Sequence, residues 1–226
     1  MKKTYTLIEI LVVMALAAVL TAMALPAFSA LMHGNSAALT CSIIKGGLDQ
    51  AQAHAVTDRK YAAAVFDLAG TVSGLTDTQA LRICYVDSSY AFNGWIEGAD
   101  WIPLDQNAQI MDIGLGGDGT STAFLAGGVV DFSGKTGTLQ SVSGVKGAGN
   151  TDGAALPGVV FSMYGNVKAP NGNFYIGVGE AKLANGVYIC KDPDSSGKPT
   201  NVMALKVNHF TGRSLIAGID GDGKIE

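Results

Sequence analysis

The side chains able to do chemistry in this chain are few: three histidines, three cysteines and 19 carboxylates among 226 residues. The histidines, His33, His54 and His209, lie far apart, and only His209 falls in the strand-rich part of the sequence. No G-x-S-x-G elbow, H-E-x-x-H pair or phosphate-binding loop accompanies them, so no catalytic residues and no enzyme activity are expected. Asp192-Pro193-Asp194 with Ser196-Gly197, and Asp220-Gly221-Asp222-Gly223, each imitate part of a calcium loop. An EF-hand closes with a bidentate Glu at its twelfth position. Counted from Asp192 that position is Met203, and the second segment ends before reaching it, so both read as Asp/Gly turns. Calcium in a non-EF geometry is the one cofactor left open; no other metal or cofactor is expected. Gly114, Gly116 and Gly119 have dinucleotide-fingerprint spacing, but no βαβ pattern surrounds them. Trp95 and Trp101, near Tyr90 and Phe92, could face a sugar or a partner; core packing is the expected role.

The cysteines, Cys41, Cys84 and Cys190, form no C-x-x-C pair, which excludes a zinc knuckle. An odd count allows one bridge and one unpaired thiol. If the domain folds outside the cytoplasm, Cys84 and Cys190 are the expected disulfide, since both lie in strand-like segments. Cys41, on a predicted helix, is expected to pack as a small apolar residue.

One carboxylate stands out by its surroundings. Glu9 opens an apolar run, and Ile10 to Met32 are 23 residues without a charge. At 1.5 Å per residue that run would extend roughly 34 Å as a helix, enough to cross a bilayer. Lys2 and Lys3 precede it and keep the N-terminus cytoplasmic. A carboxylate at the edge of such a span is expensive and therefore functional by default. A cleaved secretory signal peptide is the competing reading, with Ala27-Phe28-Ser29 as a weak cleavage site. The run is longer than an ordinary signal core, and a signal peptide gains nothing from Glu9. Net charge is −4, with no basic cluster beyond Lys2 and Lys3, so no nucleic-acid partner is expected.

The residues around Glu9 suggest what it does. Tyr5-Thr6-Leu7-Ile8-Glu9-Ile10-Leu11-Val12-Val13 resembles the prepilin signature of type IV pilin-like proteins. The resemblance places leader-peptidase cleavage between Thr4 and Tyr5 and N-methylation on Tyr5. It also implies that Glu9 meets the terminal ammonium of a neighbouring subunit during assembly. Two opposite charges in hydrocarbon cost far less together than apart, so such a pair would set the register between subunits. Pro26, seventeen residues after Glu9, matches the proline that bends or melts the pilin helix on assembly. Thr4 departs from the family, which normally has Gly, or sometimes Ala, before the cut.

Beyond the apolar run, Ala37, Cys41, Ile44, Leu48, Ala51 and Ala55 recur at spacings of three and four, a narrow stripe suited to packing on a sheet. From Tyr61 onward, strand segments punctuated by glycine replace helix: 61–67, 81–86, 101–104, 129–132, 159–163, 174–178, 186–191, 202–207 and 215–219. Residues 114–128 and 134–153 read as loops. The expected fold is α+β and pilin-like: one long N-terminal helix, transmembrane then amphipathic, packed on an antiparallel β-sheet or small β-sandwich. Its parts are a leader at 1–4, a transmembrane helix at 5–32, an amphipathic continuation at 33–60 and a periplasmic β-rich domain at 61–226. A continuous helix from Tyr5 to Thr57 would run roughly 80 Å.

Leu48 to Val56 with Arg59, and the turn Phe210-Thr211-Gly212-Arg213, resemble H-type minor pseudopilins of type II secretion and related minor pilins. The expected role is a structural subunit of a type IV pilus or pseudopilus in the inner membrane, its domain in the periplasm or on a fibre. Its implied partners are other subunits, a prepilin peptidase and the inner-membrane assembly platform. The alternative is a secreted or surface β-sandwich with an ordinary signal peptide, binding a ligand as an adhesin would.

Overall fold

The computed structural model describes residues 7–33, 36–68, 70, 72–75, 78–111, 114–115, 121–123, 140–146, 153–168, 174–184, 187–190 and 201–218. They form two compact units, Met1–Asn35 and Ser36–Glu226. The first carries helix α1 (Leu7–His33). The second opens with α2 (Ser36–Thr57) and continues as β1 (Tyr61–Asp67), β2 (Ala80–Val86), β3 (Phe92–Trp95), β4 (Ile102–Pro103), β5 (Ala108–Met111), β6 (Gly114–Leu115), β7 (Ser121–Ala123), β8 (Gln140–Val145), β9 (Ala154–Phe161), β10 (Phe174–Ala184), β11 (Val187–Cys190), β12 (Val202–Val207) and β13 (Ser214–Gly218).

This corrects the expected fold. Among the described residues strand prevails over helix, and there is no single long N-terminal helix packed on a sheet. The helical part of the chain is two elements in separate units, and α2 packs on the strands of its own unit. In sequence, Gly34 and Asn35, both poor helix formers, separate them, and Ser36, a residue type favoured at helix starts, begins the second.

The apolar stripe of α2 behaves as its spacing predicts. Ala37, Cys41, Ile44, Leu48, Ala51 and Ala55 are all fully buried. They meet Ala62, Ala64 and Phe66 of β1, Val159 and Phe161 of β9, and Ile176, Val178, Leu205 and Val207 of β10 and β12 in one core. The helix ends in a Schellman turn: Lys60 N–H donates to Ala55 O at 3.2 Å, with Arg59 in the left-handed region at φ 52°.

The first sheet has the order β3-β2-β1-β9-β8, with β4 added to β2. The alternate side chains of β1, Ala63 and Val65, are buried too, in a second core with Cys84, Val86, Val142, Val145, Leu156 and Val160. Both faces of β1 are therefore covered, which is why Ala-Ala-Ala-Val-Phe shows no polar alternation. The sheet curls until β8 reaches the strand opposite: Ser143 N–H donates to Tyr90 O at 3.3 Å, and Ala91 bridges Ser143. The second sheet runs β11-β10-β12-β13, with β5 on β10, and β6–β7 form a ribbon.

Strands β1 and β12 match their sequence-based bounds, whereas β9 begins at Ala154 and β10 continues to Ala184. β3, β5, β6, β7 and β8 are not expected from the sequence; β6 and β7 lie where residues 114–128 read as loop, and β8 where residues 134–153 do. Its Gln-Ser-Val-Ser-Gly-Val sequence has low strand propensity, and only pairing with β9 makes it a strand. Residues 129–132 lie outside the described residues.

Candidate assembly site

Glu9 lies in the first turn of α1, where a carboxylate interacts favourably with the positive end of the helix dipole. Around and beyond it, Leu7, Ile8, Ile10, Leu11, Val12, Val13, Met14, Leu16, Val19 and Leu20 are 52–83% exposed. From Ile10 to Leu20 the helix is apolar all round its axis and has no solvent face. Leaving ten such side chains in water costs on the order of 10–20 kcal/mol.

Among the described residues no helix is long and apolar enough to cross a membrane, and the span expected at 5–32 lies partly outside them. Thr4 and Tyr5 lie outside the described residues. Pro26 falls within the helical backbone of α1.

The distal part of α2 is tied to two turns of the β-domain. Gln52 Nε2 donates to Gly165 O and to Thr211 O, both at 2.7 Å. Ser214 Oγ donates to Asp49 Oδ1 at 3.1 Å. The fit is close: a Cβ on Gly212, whose φ is +67°, would lie 2.2 Å from Gly165 O and 2.4 Å from Gln52 Nε2. The Phe210–Arg213 turn singled out in the sequence is thus part of what fixes the helix to the sheets. Beside it, Tyr85 Oη donates to Asp58 Oδ2 at 2.5 Å, and His54 Nδ1 lies 3.2 Å from the same oxygen. The Tyr85 hydroxyl, followed by His54, holds the Asp58 carboxyl below its ordinary value. The same bond, followed by burial, pushes Tyr85 up to about 12.

The cysteine expectation is corrected at Cys84, which is an unbonded, buried thiol in β2 facing the second core. The Cys84–Cys190 bridge is therefore not formed; Cys190 ends β11 in the other sheet, opposite Ala181. Cys41 is likewise unbonded and buried. Burial pushes both thiols up to about 12.

The aromatic cluster packs as expected, with Phe92, Trp95 and Trp101 edge to face against the second core. Nothing in the sequence marks its centre. The Arg82 guanidinium lies 4.1 Å from the Trp95 ring and 6.0 Å from Trp101, while its Nε donates to Ala99 O at 3.0 Å. The cation that could have met a ligand is thus occupied within the fold. Among the described residues no cluster of three or more His, Cys, Asp or Glu could hold a metal. Both Asp/Gly turns considered for calcium lie outside the described residues. No protein-family model, curated protein or solved structure matches this chain.

Proposed function

We propose that this chain is a structural subunit of a type IV pilus or type II secretion pseudopilus, joined to its neighbours through α1. The exposed apolar surface of α1 around Glu9 carries the reading: a helix with no polar face needs lipid or other helices to cover it. The sequence adds Tyr5–Glu9, the uncharged run to Met32 and Pro26. In this reading the N-terminal run holds the subunit in the inner membrane until assembly, with the β-domain in the periplasm. Prepilin peptidase and the assembly platform are its processing partners, and Glu9 sets the register between subunits. The H-type minor subunits are the placement its motifs favour.

Mass spectrometry of the mature N-terminus is the decisive measurement. A methylated Tyr5 is expected; a chain starting near Leu31 would be a secreted protein and would end the proposal. Glu9→Ala should remain membrane-associated yet fail to enter filaments, and normal incorporation would remove Glu9 from the register role.

A further inference from the structure

Some outward-facing backbone groups of the strands in this domain are met from within it. On β5, pairing with β10 leaves the N–H and C=O of Ile110 pointing away from the sheet. The buried side-chain amide of Gln79 meets both: its Oε1 accepts from Ile110 N–H at 2.7 Å, and its Nε2 faces Ile110 O at 3.4 Å. On β8 the outward N–H of Ser143 is met by Tyr90 O. Strand β13 differs. Asn208 N–H donates to Arg213 O across the hairpin, so the ladder to β12 uses the backbone groups of Leu215 and Ala217. Those of Ser214 and Ile216 point outward and have no partner among the described residues. Leu215 and Ile216 are 65% and 37% exposed, and Ser-Leu-Ile-Ala-Gly contains none of the charges or prolines that usually guard an edge.

We propose that β13 is a pairing edge for β13 of a second copy of this chain, joining two second sheets antiparallel. Outward peptide groups at two-residue spacing specify an extended backbone as the occupant. The strand is complementary to itself about Ile216. That register sets Ile216 against Ile216, Leu215 against Ala217 and Ser214 against Gly218 of the second copy. Large residues then face small ones, and no like charges meet. The contact is independent of α1, so it stands or falls separately from the filament reading.

The test uses the full chain in detergent micelles, with association measured by sedimentation equilibrium. Ile216→Pro is the informative variant, because it removes an outward N–H and leaves the β12 ladder intact. Association should weaken at least roughly tenfold, with an unchanged circular dichroism spectrum and melting temperature. In the proposed pair the two Ile216 Cα atoms lie about 5.5 Å apart, within disulfide range. Ile216→Cys should therefore cross-link between copies on mild oxidation much faster than Thr211→Cys on the neighbouring exposed turn. Association of Ile216→Pro equal to wild type, cross-linking no faster than the Thr211→Cys control, or a wild-type monomer at the highest soluble concentration would each overturn the proposal.

Discussion

Replacing Gln52 by Ala tests whether the helix is held to the β-domain by specific polar contacts as well as by its apolar stripe. The variant loses two hydrogen bonds of 2.7 Å, to Gly165 O and Thr211 O. Each contributes about 1 kcal/mol net, which sets an upper figure of about 2 kcal/mol. The Gly165 contact is partly buried and the Thr211 contact exposed, so water can replace the second more readily than the first. Ala is also the better helix former by a few tenths of a kcal/mol. The expected net destabilisation is about 1–1.5 kcal/mol, or about 2–6 °C in Tm for a domain of this size. Gln52→Glu should be worse than Ala, because a carboxylate cannot donate and would face two carbonyl oxygens. Urea unfolding of the full chain in detergent, followed by near-ultraviolet circular dichroism, reads both. If both variants unfold at the wild-type midpoint, the clamp contributes nothing and α2 is held by its apolar face alone.

Two further outcomes concern titration and thiols. The folded Asp58 carboxyl is held low, so its contribution is present at neutral pH and lost as pH falls through that lowered value; the folded Tyr85 hydroxyl is raised to about 12, so its contribution is full below about 10 and lost as pH rises towards 12. Tyr85→Phe should flatten both limbs of the Tm–pH curve, and an unchanged curve would show that the bond is not maintained in solution. Cys41 and Cys84 should resist maleimide at pH 8 in the native state and react on unfolding, because both are buried with thiols pushed up to about 12. Rapid native labelling, or an intact mass 2 Da low from a bridge, would contradict the unbonded state.

Helix α2 was legible because burial on one side of a helix leaves a mark every three or four residues, and all six stripe positions are buried. Strands β1 and β12 were legible for a similar reason: apolar and β-branched runs bounded by turns. β8 was not, since its strand character comes from its neighbour β9. Gln52 and Gln79 read as ordinary polar residues, and nothing local distinguishes a clamp from a solvated amide. The cysteine pairing failed because strand-like surroundings do not say which core a side chain enters, and Cys84 is buried unbonded in the second one.

The apolar character of the N-terminal run, the position of Glu9 within it and the buried face of α2 were determined by the sequence alone. These depend on residue type and on helical periodicity, which are local. Only the tertiary structure decided that the helical part is two elements and that β1 is covered on both faces. It also decided which strand edges are closed. Those properties arise where segments distant in sequence meet, and whether Ile110 or Ile216 finds a partner depends on what lies across from it.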